Sequence, residues 1–185
     1  DTTELVQALA SDWDNGKKQL YRGLLTGFFM ACDPEIAEAC MDAEDSVTKR
    51  GENEDVAFWK LLYKMSPDVN TFFWKNQKYE SLNVFGTDLM EKLRSGNVDE
   101  CPVWNEMLSY GLISSYMKAH KFSEAQVKGA ESIESSVRLN KANAKTMALN
   151  YYLLAYLISG DRGFVLDGKQ FDSIDVLAEH MNTLL

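Results

Sequence analysis

Apolar residues recur along this chain with a period near 3.6, the spacing that lines one face of a helix. Leu5, Leu9 and Trp13 form one stripe, and Leu20, Tyr21, Leu24, Leu25, Phe28 and Phe29 form a broader one. Asp33-Pro34-Glu35 then opens a new helix. The aspartate can accept bonds from free N–H groups, and proline at the next position has no N–H to satisfy. That helix carries Ile36, Ala39, Cys40 and Val47. The polar stretch TKRGENED follows as a loop. Beyond it Val56, Trp59, Leu62 and Met65 make a fourth stripe, ended by Ser66-Pro67.

The period changes in TFFWKNQKYES, where aromatic and polar residues flank Asn76 as two short strands and Ser81 caps the next helix. That helix carries Leu82, Phe85, Leu89 and Leu93 and ends near Ser95-Gly96. Three more helices are predicted, around Trp104 to Met117, Ser123 to Val137 and Ala142 to Ile158. A second hairpin turns on Asp167-Gly168, a pair suited to the positive φ angles of a type I′ turn. Ser173 caps a last amphipathic run.

The chain repeats itself. Without gaps, 72–93 (FFWKNQKYESLNVFGTDLMEKL) lies on 164–185 (FVLDGKQFDSIDVLAEHMNTLL). Upstream, LLYKM at 61–65 lies on LLAYL at 153–157, and EDSV at 44–47 on ESSV at 134–137. LYRGLLTGFFMA at 20–31 lies on LSYGLISSYMKA at 108–119. DTTELVQAL at the N-terminus lies on SIDVLAEHM at 173–181, with Asp1 in the cap position of the serine. The offset drifts from 80 through 88 and 90 to 92, as short loop insertions between matching helices would produce. The unit is a hairpin followed by four helices. Residues 1–71 make a first module without its hairpin, 72–163 a complete second one, and 164–185 the hairpin and first helix of a truncated third. The fold expected is mainly α, in tandem modules of about 90 residues each opened by a short β-hairpin. A chain that starts and stops inside a module, and starts at Asp1 rather than Met, is expected to be a processed chain or a piece of a longer array. The alternative is a permuted unit closed by its C-terminal hairpin.

Two patterns carry a resemblance: F-x-x-D-G-K-x-F-x-S-x-x-x-L-A from Phe164, and W-x-x-G-x-x-x-L-x-x-G-x-L from Trp13. Together they resemble a helical module of large bacterial multidomain proteins. The resemblance covers nearly the whole chain. Its motifs are structural and imply no reaction.

Composition narrows the function classes. A hydrophobic content of 45 % and an aromatic content of 11 % over 185 residues are those of a folded globular chain, not of a disordered one. A net charge of −9 opposes a large phosphate-binding surface, so no nucleic-acid partner is expected. No apolar run approaches the roughly 20 residues of a membrane span, and no signal peptide is recognised. Cys32, Cys40 and Cys101 are odd in number and lack C-x-x-C spacing, so reduced, buried thiols in a cytoplasmic protein are expected.

Single candidates for chemistry each have a plainer explanation. His120 flanks a helix end, where a cation is favoured. His180 lies on the polar face of its helix without metal-ligand partners. Glu35, Glu38, Asp42, Glu44, Asp45, Glu52, Glu54 and Asp55 lack the D-x-D-x-D-G pattern of a calcium loop and read as a solvated face and loop. Arg138, Lys141 and Lys145 read as one basic helical edge, and G-D-R-G at 160–163 as a helix stop without phosphate-cradling spacing. The matching positions of the copies are read as apolar residues, glycines and helix caps, with no polar residue of obvious chemical use. No catalytic residue, metal ligand or cofactor is therefore assigned, and an enzyme is not expected.

The aromatics stand apart. Phe72, Phe73 and Trp74 are consecutive, so a strand cannot bury all three on one face. Phe58 with Trp59, and Tyr151 with Tyr152, point adjacent rings to different sides of a helix. These seven are expected to pack between copies or to form a partner surface. The function expected is protein–protein interaction, as a scaffold or regulatory segment bound to another protein or to other domains of a parent chain. Leu177, Met181 and Leu185 at the C-terminus would favour a dimer. Competing expectations are a regulatory or catalytic domain with a ligand cleft between the modules, or an effector released from a precursor.

Overall fold

A computed structural model describes residues 1–75, 77–95, 102–139, 144–159, 164–166 and 169–183. The described residues form a mainly helical fold with two short antiparallel hairpins. Two compact units divide the chain, Asp1–Tyr79 and Glu80–Leu185. The first contains α1 (Thr2–Ser11), α2 (Trp13–Tyr21), α3 (Leu24–Met30), α4 (Pro34–Thr48), α5 (Glu54–Met65), β1 (Phe72–Trp74) and β2 (Gln77–Tyr79). The second contains α6 (Leu82–Ser95), α7 (Pro102–Ser109), α8 (Leu112–Ala119), α9 (Glu124–Leu139), α10 (Ala144–Ile158), β3 (Phe164–Leu166), β4 (Lys169–Phe171) and α11 (Ile174–Asn182). The Asp167-Gly168 turn, the G-D-R-G segment, Lys141, Cys101 and Leu185 lie outside the described residues.

Local chemistry sets the helix starts. Asp1 accepts a bond from the Thr3 N–H, Asp33 from Ile36, Asn53 from Asp55 and Val56, and Ser173 from Val176. Ser81 accepts from the Val84 N–H at 3.3 Å. Ser123 and Gln126 close a reciprocal capping box ahead of α9. The two hairpins share one register, Phe72 opposite Tyr79 and Phe164 opposite Phe171, as the repeat requires.

Three predicted helices are broken. Gly23 (φ 70°) and Gly111 (φ 71°), matched in the repeat, take the left-handed conformation that favours glycine and divide α2 from α3 and α7 from α8. The chain also bends at Asp12 (φ −126°, ψ 68°), so Trp13 begins a new helix and the stripe Leu5, Leu9, Trp13 is split. The basic edge is likewise divided, because Arg138 lies in the last turn of α9 and Lys145 in the first turn of α10.

In the first unit α5 is buried over most of its circumference, from Val56 and Ala57 to Tyr63 and Met65, and only the Glu54, Lys60 and Lys64 edge faces solvent. The Trp13 ring meets Phe58 edge-on at 4.9 Å. A Cβ at Gly16 would lie 2.7 Å from the Phe58 ring, so that approach needs a glycine. The hairpin closes this unit: the Trp59 indole N–H donates to the Phe73 carbonyl, and the Tyr63 hydroxyl to that of Thr71. The boundary therefore falls after the first hairpin, where the sequence pattern had placed it before. In the second unit α6 packs along α10, burying Leu82, Phe85, Leu89 and Leu93. Among the described residues no helix is long and apolar enough to cross a membrane.

Two glycines separate conformational strain from close packing. Nothing lies within 4 Å of a Cβ added at Gly23, so Gly23→Ala tests φ alone and should cost about 1 kcal/mol in urea denaturation. A Cβ at Gly86 would lie 3.0 Å from the Ile158 carbonyl carbon, a backbone atom. Gly86→Ala forces α6 off α10 and should cost about 1–3 kcal/mol, although Gly86 needs no positive φ. A neutral Gly86→Ala variant would contradict that close approach.

Candidate functional site

The aromatics singled out from sequence are core residues. Phe58, Trp59, Phe72, Phe73, Trp74 and Tyr151 are all buried, and Tyr152 is half-buried. Phe73 stacks on Tyr63 at 4.8 Å and Trp74 meets Trp13 edge-on at 5.8 Å, so neighbouring rings of β1 are both held inside the first unit. Tyr151 meets Trp104 edge-on at 5.5 Å and donates its hydroxyl to Asn105. Side chains without accessible area cannot be read by a partner. The expected partner surface is corrected for these six. Tyr152 alone shares the outer side of α10 with the exposed Leu149 and Leu153.

A polar pair does repeat, contrary to expectation. Thr26 corresponds to Ser114 and Glu44 to Glu134. The Thr26 hydroxyl donates to Glu44 at 2.6 Å and the Ser114 hydroxyl to Glu134 at 2.5 Å. The Ser114 N–H also donates to Glu134, at 3.0 Å. Gly111 at the start of α8 has no side chain to cap it, so the α9 carboxylate serves the free amides instead. Burial pushes the Glu134 carboxyl up; the bonds from Ser114 and Ile113 and the Arg138 charge oppose that without cancelling it. A hydroxyl against a carboxylate resembles an activated nucleophile. Here Ser114 is 5 % and Glu134 1 % exposed, so no substrate reaches the oxygen in this structure. The alignment of EDSV on ESSV held the signal for this pair.

A second polar cluster surrounds Asp55, in the first turn of α5. Trp13 Nε1–H donates to Asp55 Oδ1 at 2.8 Å, Lys17 Nζ lies 2.6 Å from the same oxygen, and Lys75 Nζ lies 3.6 Å from Oδ2. Burial alone would raise this carboxyl; the Lys17 and Trp13 bonds and the Lys17 and Lys75 charges outweigh it and hold it below the usual range. Beside the cluster lies a cleft of about 440 Å³ lined by Asp14, Lys17, Lys18, Tyr21, Arg22 and Glu54. Burial, then the Glu54 charge, pushes the Tyr21 hydroxyl up, and it stays protonated as a donor to the Glu54 carbonyl. Lys17, Lys18 and Arg22 line this cleft together with Asp14 and Glu54, so charges of both signs face it.

The remaining candidates are placed as follows. His120 ends α8 and stacks on Tyr116 at 3.9 Å; the His180 ring lies 5.0 Å from Phe171. Cys40 is buried, its thiol pushed up to about 11 by burial and then by Glu44. Cys32 is exposed in the turn after α3, which corrects the expectation of buried thiols. Among the described residues no three His, Cys, Asp or Glu side chains converge as metal ligands. At the C-terminus Leu177 is buried and Met181 exposed.

One surface was missed. Leu24, Phe28 and Met30 on α3 are 53 %, 61 % and 60 % exposed. The lone polar residue of that helix, Thr26, is turned inward onto Glu44. The matching Leu112 and Tyr116 of α8 are buried, the Tyr116 ring stacked on His120 with Phe122 at its edge. At the 88-residue offset those two covering residues become Cys32 and Pro34, and Phe28 stays bare. Placing Leu24 and Phe28 in one stripe with Leu20 and Leu25 hid this face. The break at Gly23 separates Leu20 from Leu24 and Phe28, and of those in α3 Leu25 is the one turned inward.

Two substitutions test the carboxylates through the pH dependence of stability. The folded-state value of Glu134 lies above the ordinary one near 4.3, so its contribution is fully present below that pH and is lost as pH rises through the folded value. The stability gap between Glu134→Gln and the parent should therefore move in favour of glutamine as pH rises from about 4. Asp55 has the opposite sign: its contribution is present above about 3.9 and lost as pH falls through the lower folded value. Asp55→Asn should cost roughly 1–3 kcal/mol at neutral pH and progressively less in acid. Urea midpoints across pH 2.5–8, a range of roughly the width these shifts need, check both signs.

Comparison with family models, with curated proteins and with solved structures gave no match.

Proposed function

We propose that this chain is a protein-binding segment, a scaffold or regulatory part of a larger cytoplasmic protein, and that it engages its partner through the outward face of α3. One observation carries this reading: Leu24, Phe28 and Met30 are each more than half exposed on a helix that turns no polar side chain to solvent. Single exposed leucines are ordinary, but Leu24 and Phe28, one turn apart on the same side of a short helix, form a small apolar patch. Covering each is worth about 1.5–3 kcal/mol, enough for a few such anchors to dominate an interface. The covered state of the matching α8 positions supports the reading. So does the internal satisfaction of the Ser114–Glu134 and Asp55 clusters, whose polar atoms are engaged within the fold.

Affinity capture from the source lysate tests this with the parent chain and with a Leu24→Ser, Phe28→Asp variant shown to fold by circular dichroism. A stoichiometric protein should be retained by the parent and lost by the variant. Equal retention by both would remove α3 as the interface, and capture of nothing by two folded proteins would sink the reading.

A further inference from the structure

Each hairpin runs into a helix, α6 after β1–β2 and α11 after β3–β4. The gapless match of 72–93 on 164–185 makes these two helices equivalent, and that of 1–9 on 173–181 adds α1. Ala178 and Met181 of α11 thus stand where α6 has Gly86 and Leu89 and where α1 has Val6 and Leu9. In α1 and α6 all of these positions are buried. The last long helix of the same unit packs on each, α5 on α1 and α10 on α6. The approach to α6 is close, because a Cβ at Gly86 would lie 2.8 Å from Ile158 Cγ1. In α11 the same side is bare. Ala178 is exposed, Met181 is 50 % exposed against 0 % for Leu89, and Asn182, in the place of the buried Met90, is exposed too. Its other sides are placed as in α6: Leu177 is buried like its match Phe85, and Val176 faces solvent like its match Val84. α11 lies on the hairpin β3–β4, with the His180 ring 5.0 Å from Phe171.

We propose that α11 is the opening helix of a third unit of the same fold, and that its bare side takes the last long helix of that unit. The occupant is a segment of the parent chain, joined to α11 as α7–α10 are joined to α6. The ground is an interface that the chain already forms twice at the same positions, not the α3 face, and the inference stands apart from the protein-binding reading. Residue size refines the occupant. Gly86 meets Ile158, and the corresponding residues of the first unit are Val6 and Ser66. Thr3, one turn before Val6, shares a hydroxyl bond with Ser66 at 2.9 Å. A larger residue on the opening helix thus goes with a smaller one on the last helix. Ala178 carries the Cβ that Gly86 lacks, so the occupant has a residue smaller than isoleucine at that level. A second copy of this chain is disfavoured, since its α5 and α10 already pack on α1 and α6.

The test completes the unit. The full chain is extended after Leu185 with a second copy of residues 94–171, the segment that follows Leu93 in the match of Leu93 on Leu185. Two versions carry isoleucine or serine at the position copied from Ile158. Circular dichroism, urea denaturation and hydrogen exchange compare both with the parent chain, and sedimentation velocity follows the parent alone. The serine version should add helix and should slow exchange of the α11 amides by roughly tenfold or more. It should also exceed the isoleucine version in urea midpoint. Met181→Asp should leave the urea transition of the parent in place, and in the extended chain it should remove the added protection of α11.

Added helix without slower α11 exchange overturns the inference, because the new segment would then fold beside α11 and not on it. Failure of both versions to add helix overturns it as well and removes α11 as an opening helix. Slow α11 exchange in the parent alone would mean that the chain itself covers this side, and self-association lost in Met181→Asp would mean that a second copy does. Either result sinks the third unit. Protection of α11 with the isoleucine version the more stable keeps the third unit and overturns the size assignment. The outcome of the capture experiment on α3 is independent of all of these.

Discussion

A hydroxyl-to-carboxylate bond between the third and fourth helices of each unit is the constraint from which the outer geometry follows. The left-handed glycine that turns the chain into α3 or α8 leaves the helix start without a capping side chain of its own. In the second unit the neighbouring helix supplies the missing acceptor, and Glu134 serves the Ser114 N–H and hydroxyl together. In the first unit the same pairing turns Thr26 inward. Its inward rotation carries Leu24 and Phe28 outward, because they stand two positions either side of Thr26 on a helix of 100° per residue. The apolar face of α3 is thus a geometric consequence of an internal polar bond.

The two units use that frame differently. Around Tyr116 the second unit supplies His120 and Phe122, and burial pushes the tyrosine hydroxyl up to about 12. The first unit places a cysteine and a proline at the matching positions and leaves its ring exposed. A common scaffold with one covered and one bare face suits divergence of a binding surface without disturbance of the core. The core itself is held by aromatic side chains that carry polar tips. Trp59 and Tyr63, one turn apart on α5, bind the backbone of Thr71 and Phe73 and so satisfy carbonyls that burial would otherwise leave unpaired.

The sequence by itself determined the helical class, the caps at Asp1, Asp33, Ser81 and Ser173, both hairpins and their shared register. Each rests on residues a few positions apart, where capping chemistry and periodicity act. It also held the glycine match that breaks α2 from α3 and α7 from α8, although periodicity alone ran through both breaks. The tertiary structure decided which apolar residues are inside. Three consecutive aromatics on β1 cannot share one face of a strand, and the structure buries them by covering both faces; Leu24 and Phe28 continued a stripe, yet they face outward. A hydrophobic period reveals that a helix has an apolar face, but not whether anything packs on it. That depends on side chains tens of residues away: Trp13 against Trp74, Thr26 against Glu44, and His120 where the first unit has Cys32.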